Sequence, residues 1–541
     1  MPLITPKTIG TKQPPIYLAA IWILSVALFL PPNLMGINIF DEGFIVSGAL
    51  LVKDGGLPYR DFLSMYGPGQ YYLTAAIFSV LGENLLYVRF LHVFLLSALG
   101  VVIYQLAKQT TTNPYDPMLF LLGYIALILY VKPSVGYPAI SSTLFVLLSV
   151  LALHGQPFHT KKLIVASCMI GIAGLFRWDF GIFGLFAIAT TLVIAAMQEK
   201  RNLADVDFFG YVFSATLPAI FIMAIVYIPL IVILSDPVRW YEEVPLFSFK
   251  EFAKWRNLEF VQPAYQGLFS TSMMTVARSI FDLFYIGFPI VMVIGAIGTA
   301  AYAFKHRPTN TGNNNLFIII FLALLCLCLL NQMRIRPTLW QGFPALITSL
   351  PLALLLVNYH KDLLKKVLIL IPVSISIKIM IGIIFIYIGV QSLRIAINDF
   401  VVPFDTRRTS RVLIDPGMKS YIELVKYIQN NTKPDEPIYS GVQDHSRLYI
   451  NDVLLYFLTD RPPADRFLEL EPGIANTQRG QEEIIQALQQ KKVRVIVLTH
   501  LLSNEPNLTS KSNGVTILDE YIRANYRFDK KFADRMVFIK N

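Results

Sequence analysis

Asp41 and Glu42 are adjacent carboxylates that stand a few residues after the first long apolar stretch of the chain, residues 16–34. Ionised side chains at the edge of a bilayer are costly, and they are usually kept for a function, a helix cap or a topology signal. A positioned carboxylate can also accept the proton that a reacting hydroxyl group loses. These two residues are therefore the first place to look for chemistry.

The composition of the chain defines its class. Of 541 residues, 55% are hydrophobic and only 15% are charged, with a mean hydropathy of +0.54, whereas an ordinary soluble domain has roughly 25% charged residues. The formal net charge is +10, but no basic run of the kind that binds nucleic acid occurs, so no nucleic-acid partner is expected. Cys168, Cys326 and Cys328 lie in apolar runs and indicate neither a disulfide framework nor a zinc site.

Apolar stretches of about the length that crosses a bilayer recur along the first 390 residues. We predict eleven spans, at residues 16–34, 85–107, 117–131, 137–153, 162–177, 180–197, 209–234, 281–304, 315–331, 338–357 and 366–390. The first is followed by Pro31, Pro32 and Asn33 rather than by a small-residue cleavage site, which favours an uncleaved anchor. The segment 70–81 is a further short or re-entrant helix.

The distribution of basic residues predicts the orientation, because cytoplasmic loops carry an excess of Lys and Arg. With a cytoplasmic N-terminus, the inner loops hold twelve such residues and the short outer loops hold four, Lys132, Arg177, Arg334 and Arg336. We therefore expect a multi-pass protein of the cell (plasma or inner) membrane. The outer face then carries the 35–84 loop, the 235–280 loop and the tail.

The first outer loop has the densest motif. Asp41-Glu42-Gly43 leads into a helix over 44–54 that is predicted to lie in the interface, and Gly55-Gly56 ends it. Residues 57–62, Leu-Pro-Tyr-Arg-Asp-Phe, and residues 66–69, Tyr-Gly-Pro-Gly, follow as turns. Glycine and proline at these positions allow the backbone to approach a ligand closely.

This order of motifs resembles the first outer loop of multi-pass GT-C glycosyltransferases, the superfamily that includes protein O-mannosyltransferases and lipid A aminoarabinose transferases. The resemblance covers residues 1 to about 390 in architecture, and its motif is confined to residues 41–72. It implies transfer of a sugar from a polyprenyl-phosphate carrier on the outer leaflet, with an acidic residue of this loop close to the acceptor. Carried over to this chain, it makes Asp41 the candidate catalytic base and Glu42 the second carboxylate.

Transfer from a lipid phosphate also requires groups that stabilise the leaving phosphate, which Arg can supply as a fixed donor. The candidates for phosphate binding are Arg60, Arg177, Arg334 and Arg336. The candidates for binding the rest of the substrate are Asp61, Tyr66, Trp178 and Asp179. Residues 177–181, Arg-Trp-Asp-Phe-Gly, resemble another outer-loop motif of such enzymes, whereas residues 334–337 depart from the Arg, Asp and His pattern expected there. No metal ligand and no cofactor is assigned, and participation of a divalent metal ion stays open.

Several of these residues have simpler interpretations. Asp41 could be the N-cap of the interfacial helix, and Glu42 a first-turn acid favoured by the helix dipole. Arg60 and Asp61 could form a local surface ion pair. Arg177 could pair with Asp179 to close a short loop, and Trp178 and Trp340 could be interface anchors.

The tail from residue 391 to 541 is richer in charge and alternates helical and extended patterns. Helices are predicted near 417–430, 448–458, 479–491 and 515–525, and strands at 437–440, 493–498 and 536–539. This alternation indicates a small soluble α/β domain on the outer face. The predicted architecture is thus a polytopic α-helical, GT-C-like membrane domain, residues 1–390, with a C-terminal α/β domain, residues 391–541.

The sequence predicts an integral-membrane glycosyltransferase that moves a hexosyl or pentosyl group from a polyprenyl-phosphate-linked donor to an acceptor hydroxyl, by direct displacement with inversion. The acceptor could be a lipid, a glycan or a protein. The alternative is a transporter or flippase of a lipid-linked saccharide. Carriers tend to place ionisable groups near the bilayer midplane in two matching halves, whereas here the charges gather at one face and no internal repeat is evident.

Overall fold

The computed structural model describes residues 15–111, 115–153, 158–201, 203–259, 262–306, 313–360, 402–501 and 503–541. The helices of its membrane part are α1 Pro15–Asn33, α2 Asp41–Lys53, α3 Gly69–Leu81, α4 Leu85–Thr110, α5 Asp116–Val131, α6 Pro138–Leu153, α7 Thr160–Phe176, α8 Trp178–Gln198, α9 Val206–Ile228, α10 Pro237–Tyr241, α11 Phe252–Arg256, α12 Gln262–Gly267, α13 Met273–His306, α14 Asn313–Ile335 and α15 Leu339–Tyr359. Two π-helical segments, Pro229–Ile233 and Glu242–Glu251, continue α9 and join α10 to α11.

Seven helical segments of the described chain are long and apolar enough to cross a membrane: Ile16–Asn33, Leu85–Thr110, Trp178–Gln198, Val206–Ile233, Asp282–Lys305, Asn315–Ile335 and Leu339–Tyr359. The shorter apolar helices α5 and α6 add to them. Each of the ten spans predicted before residue 360 corresponds to one helix, and the eleventh, 366–390, lies outside the described residues. The prediction of a polytopic helical fold with a C-terminal α/β domain is confirmed.

The first outer loop folds as α2 and α3, as its spacing predicted. Asn38 stabilises the turn that leads into α2, because its side-chain oxygen accepts the backbone N–H groups of Phe40 and Asp41 at 2.9 and 3.1 Å. Asn84 is the N-cap of α4 and accepts from Leu86 N at 2.9 Å. Asp41 makes no capping hydrogen bond in α2, so its side chain is left free for the contacts described below.

The C-terminal domain is built on a four-stranded mixed sheet. Its elements are β1 Val402–Pro403, β2 Leu413–Ile414, α16 Lys419–Asn431, β3 Ile438–Val442, α17 Leu454–Thr459, α18 Gln478–Gln490, β4 Val495–Thr499, α19 Ile517–Asn525, β5 Tyr526–Phe532 and β6 Arg535–Lys540. The order in the sheet is β3-β4-β6-β5, with β3 parallel to β4 and the other pairs antiparallel. A short antiparallel pair, β1 and β2, precedes it.

Two differences from the predicted elements have physical reasons. Strand β5 was not predicted, because five of its seven residues are exposed and three are Lys or Arg, the composition of a protected sheet edge. The helix predicted from residue 448 begins only at Leu454. The residues before it stay non-helical, since the buried side chains of Asn451 and Asp452 bond Ser440 O, Leu468 O, Tyr421 and Arg535.

The C-terminal domain docks directly on the first outer loop. Phe44 and Phe78 share one buried cluster with Phe457, and the rings of Phe78 and Phe457 stack at 5.5 Å. A Cβ atom on Gly43 would lie 2.4 Å from the backbone nitrogen of Leu454, so only glycine permits this approach of α2 to α17. The contact holds the N-terminal end of α2 against the C-terminal domain.

Ion pairs fix the same domain to the second long outer loop. Arg466 binds Glu243 through Nη1 at 2.8 Å and Nη2 at 2.5 Å, and binds Glu483 through Nε at 2.7 Å. Arg239 pairs with the same two glutamates. Since each side chain of this network is at least two-thirds buried, the ion pairs are screened less than exposed ones.

The stability of the C-terminal domain should depend on pH because of Asp465. Burial raises the pKa of its carboxyl group to about 7, against about 3.9 when unfolded, and one oxygen has no hydrogen-bond partner. The folded state therefore holds the proton more tightly, and the free energy of unfolding should fall as pH rises from about 4 to about 7, then level off. The Asp465→Asn protein should not show this decrease in the free energy of unfolding, which amounts to at most about 4 kcal/mol at pH 8.

Thermal unfolding of the full chain from pH 4 to pH 8 measures this effect. The melting temperature of the Asp465→Asn protein should exceed that of the wild type at pH 8 and approach it at pH 4. Asp435→Asn, an exposed change in the same domain, serves as the control. Equal pH profiles for all three proteins would contradict the assignment.

Candidate active site

A cavity of about 540 Å³ lies where one end of the membrane helices meets the C-terminal domain. The N-terminal ends of α2, α8 and α15 contribute to its wall, together with α11, the C-terminal end of α14 and residues 449–471. Its ionisable and amide side chains are Asp41, Tyr66, Tyr137, Arg177, Asp179, Arg256, Asn331, Gln332, Arg336, Gln341, Tyr449, Glu469 and Glu471. The charges therefore converge from both parts of the chain.

Asp41 presents its carboxylate to this cavity from the first position of α2. Its Oδ2 accepts hydrogen bonds from Ser134 Oγ at 2.9 Å and from Asn38 Nδ2 at 3.3 Å. Burial raises the pKa of Asp41, while these two hydrogen bonds and the charge of Arg256 oppose that rise. A part-buried carboxylate held by two donors, with a raised pKa, is suited to accept a proton.

Glu42 occupies a different place from the one predicted. It does not line the cavity. Both of its oxygens accept from Arg89, Nε and Nη2 each donating at 2.8 Å, and the two side chains are 1% and 2% exposed. Arg89 also donates to Asn33 O and Gly36 O. This buried pair ties α4 to the turn before α2, so Glu42 positions the loop and is kept away from the cavity by its partner.

Two of the predicted phosphate-binding arginines also lie outside the cavity. Arg60 forms a local ion pair with Asp61 at 2.7 Å, and both side chains are more than one-third exposed. Asp61 in turn accepts from the Leu57 backbone N–H at 2.7 Å, which stabilises the turn. Arg334 is exposed and donates to Asn331 at 3.3 Å. Because the cavity wall includes none of these three charged side chains, the structure does not bring them to Asp41.

Arg177 and Asp179 lie in the cavity wall as a pair. The guanidinium donates to both carboxylate oxygens, at 2.7 and 3.1 Å, and to Tyr137 Oη at 3.0 Å. Gln332 donates to Asp179 at 2.6 Å from α14. The extended backbone of Arg177, φ −139° and ψ 110°, separates α7 from α8 and turns these residues toward the cavity.

Tyr66 and Trp178 give the cavity its aromatic wall. Arg177 lies over the Tyr66 ring, 5.6 Å from its centroid, and Tyr66 packs edge-on against Tyr137 at 6.1 Å. The indole N–H of Trp178 donates to Met65 O at 3.1 Å. This hydrogen bond ties the Trp178 ring to the first outer loop.

Arg336 reaches the cavity from the segment between α14 and α15. It donates to both oxygens of Glu505 at 2.7 and 2.9 Å, and to the backbone oxygen of Arg256 at 2.9 Å. Its guanidinium is thus held by the C-terminal domain and the second outer loop at once.

Arg256, Glu469 and Glu471 are site residues that the sequence did not reveal. Arg256 ends α11, and its guanidinium lies 3.7 Å from Glu469, 3.5 Å from Glu471 and 5.0 Å from the centroid of the Tyr449 ring. Burial, with the nearby charge of Glu471, raises the pKa of Glu469 to about 8. The basic and aromatic run Lys254-Trp255-Arg256 in an outer loop is the signal that could have singled out Arg256.

Among the residues that the structure describes, no group of three or more His, Cys, Asp and Glu side chains is arranged to hold a metal ion.

No protein-family model and no curated protein sequence matches the chain. Among solved structures, it is similar to the Archaeoglobus fulgidus oligosaccharyltransferase in complex with Zn and sulfate, with 12% identity, a TM-score of 0.48, and coverage of 89% of this chain and 67% of that one. A second similar structure is the oligosaccharyltransferase AglB from the same organism with an inhibitory peptide and a dolichol-phosphate, with 12% identity, a TM-score of 0.45, and coverage of 89% and 69%.

A third similar structure is ArnT from Cupriavidus metallidurans bound to undecaprenyl phosphate. It has 11% identity and a TM-score of 0.41, and the alignment covers 97% of each chain. AglB and ArnT are both GT-C glycosyltransferases.

Proposed function

We propose that the chain is an integral-membrane glycosyltransferase that moves a sugar from a polyprenyl-phosphate-linked donor to an acceptor hydroxyl at the outer face of the cell membrane. The observation that carries this proposal is Asp41, a part-buried carboxylate with a raised pKa, in a cavity of about 540 Å³ lined by arginines. A proton acceptor beside fixed cations is what displacement at a sugar phosphate needs.

The proposed step is a direct displacement. The acceptor oxygen forms a bond to the anomeric carbon, and the bond from that carbon to the phosphate oxygen breaks, with its electron pair leaving on the phosphate. Asp41 takes the hydroxyl proton. Because attack and departure occur on opposite sides, the anomeric configuration inverts.

Arg177 and Arg336 are the proposed phosphate-binding residues among the four arginines that the sequence suggested. Both line the cavity, and each is oriented by a carboxylate, Asp179 and Glu505 respectively. A leaving phosphate needs charge stabilisation more than protonation, and a guanidinium held in place supplies it without reorganising. Tyr66, Trp178 and Asp179 then contact the rest of the substrate.

The proposed partners are a polyprenyl-phosphate sugar and a lipid, glycan or protein acceptor. Polyprenyl phosphates are also the lipids in the AglB and ArnT structures named above. The excess of Lys and Arg in alternate loops supports a cytoplasmic N-terminus and an outer C-terminal domain, residues 391–541.

The pH dependence of turnover tests the base. Since Asp41 must be ionised to accept a proton and burial raises its pKa, kcat/KM should fall on the acid side at a pH above the ordinary carboxyl value of about 3.9. Ser134→Ala removes a hydrogen bond that lowers this pKa, so the acid limb should move to higher pH. An acid limb that stays in place in the Ser134→Ala protein would argue against Asp41 as the titrating group.

Sealed proteoliposomes distinguish a transferase from a flippase. Purified protein is reconstituted with a polyprenyl-phosphate sugar, and both the release of sugar from the lipid and its movement between leaflets are followed. The proposal predicts cleavage or transfer of the sugar. Movement of an intact lipid-linked sugar with no cleavage would favour the transporter.

A further inference from the structure

A hydrogen-bond donor and an acceptor, both buried and both without a hydrogen-bond partner, lie side by side in the cavity wall. They are Arg256 Nε and Glu471 Oε1, and they are separated by 3.5 Å. The two residues are 8% and 4% exposed. Buried polar groups are nearly always hydrogen-bonded, whereas these two atoms form an ion pair longer than a hydrogen bond, and both residues line the cavity. The pair is therefore a candidate site for a ligand group that bonds both side chains.

The other two arginines of this wall, Arg177 and Arg336, are each held by a carboxylate through two hydrogen bonds. The partner of Arg177 is Asp179, and that of Arg336 is Glu505. By contrast, the contacts of Arg256 with carboxylates are ion pairs of 3.5 and 3.7 Å, longer than a normal charge-assisted hydrogen bond. Its guanidinium is held in place by the Tyr449 ring instead.

The chemistry of the pair selects its ligand. A phosphate would be attracted by Arg256 but repelled by Glu471, whose charge is not offset by two short hydrogen bonds as those of Asp179 and Glu505 are. An ammonium group or metal ion would meet the opposite conflict. A hydroxyl group satisfies both side chains, because it donates its proton to the carboxylate and accepts from the guanidinium N–H with a lone pair. The pair is therefore complementary to a neutral polyol.

We propose that Arg256 and Glu471 together bind one hydroxyl group of a substrate and so determine which sugar or acceptor the cavity accepts. The inference rests on the proposed function, which supplies a sugar-bearing substrate. The hydroxyl can belong to the sugar of the donor or to the acceptor, and the two sources are separated by experiment.

The location of the pair agrees with this role. The positive charge of Arg256 lowers the pKa of Asp41, and the charge of Asp41 raises that of Glu469. Arg256 and Glu471 line the same cavity as Asp41, and the charge of Arg256 acts on the proposed base. A hydroxyl bound there would lie beside the reacting centre, where a recognition contact has the most effect on specificity.

The first arm of the test measures equilibrium binding in nanodiscs. The probes are polyprenyl phosphate without sugar and polyprenyl phosphate bearing mannose, glucose, galactose or xylose. Glu471→Gln and Arg256→Gln should weaken binding of the preferred sugar-bearing lipid by about tenfold or more, and should change binding of the sugar-free lipid by less than about twofold. Glu482→Gln, an exposed change in the same domain, should alter neither.

A double-mutant cycle then identifies the hydroxyl. Removing each hydroxyl of the preferred sugar in turn should weaken binding to the wild type at one position, and that same deletion should have little effect in Glu471→Gln. If no donor hydroxyl couples, the same cycle is run with deoxygenated acceptors and the acceptor KM, and coupling there assigns the hydroxyl to the acceptor.

The outcomes separate the two proposals. Retained binding of the sugar-free lipid reports that each variant is folded, and Arg256→Gln provides a second variant if Glu471→Gln does not fold. An equal loss of sugar-free and sugar-bearing lipid, or no coupling with any donor or acceptor hydroxyl, overturns the inference while leaving the glycosyltransferase in place. Failure of the wild type to bind any sugar-bearing lipid would instead overturn the proposed function.

Discussion

Asp41→Asn should lower the rate of sugar transfer by about 10²–10⁴-fold, the usual contribution of general base catalysis. Asparagine has nearly the shape of aspartate and keeps an oxygen that can accept from Ser134 and Asn38, so the N-terminal end of α2 should remain in place. Its amide cannot take the proton of the acceptor hydroxyl at neutral pH. Donor binding should therefore stay within a few-fold of the wild type while kcat falls.

Single-turnover measurements with saturating donor separate these effects. Asp61→Asn serves as the matched control, because Asp61 is an exposed carboxylate of the same loop that lies outside the cavity, and its turnover should be close to that of the wild type. Full turnover in the Asp41→Asn protein would show that Asp41 is not the catalytic base.

Arg89→Met should destabilise the protein by about 3–5 kcal/mol, because it removes the buried charge partner of Glu42 and leaves its carboxylate only the hydrogen bond from the Asn38 backbone N–H among the described residues. Glu42 and Arg89 are almost fully buried, and Arg89 makes both of the hydrogen bonds that the Glu42 oxygens receive from a side chain. Two backbone oxygens would lose their donor as well. The measurement is the melting temperature and the yield of folded protein in detergent.

The companion variant Glu42→Gln separates stability from catalysis. Protein that remains folded should keep kcat within a few-fold of the wild type, since Glu42 does not line the cavity. A loss of about 10²-fold in folded protein, the size expected of a catalytic carboxylate, would instead return Glu42 to the catalytic pair. An Arg89→Met protein as stable as the wild type would contradict the structural role.

Helices of the membrane part were predictable because each is encoded locally. A long apolar run needs no knowledge of distant residues to be recognised as a helix. Strand β5 was not predicted because it is not encoded locally. Its hydrogen bonds to β6, rather than its own residues, make it a strand.

The site residues also fall into two groups, those that local sequence motifs predict and those that only tertiary packing places. Asp41, Tyr66, Arg177 and Asp179 were identified because they stand in short motifs next to predicted spans, and the structure brings them to one cavity. Residue type alone could not distinguish Asp41 from its neighbour Glu42, or the arginines of the cavity from Arg60. Glu42 meets a buried arginine of α4 and Arg60 meets solvent, and only tertiary packing decides between these environments.

Arg256, Glu469 and Glu471 could not be assigned before the fold was known. Arg256 lies far from Glu469 and Glu471 in the chain, and the basic and aromatic run at 254–256 does not reveal which residues it meets. The three residues acquire a common role only when the C-terminal domain docks on α2, where Gly43 allows the backbone of Leu454 to approach. Docking thus completes the site as well as burying apolar surface.

The most direct test of the glycosyltransferase proposal is the release of polyprenyl phosphate from polyprenyl-phosphate sugars by the purified protein in lipid nanodiscs, followed by mass spectrometry. We expect the wild type to convert one sugar-bearing lipid of the panel to free polyprenyl phosphate, with transfer to an added acceptor or slow transfer to water, and folded Asp41→Asn protein to lose this conversion. If the wild type binds the sugar-bearing lipids and leaves all of them intact, the protein is not the transferase proposed here.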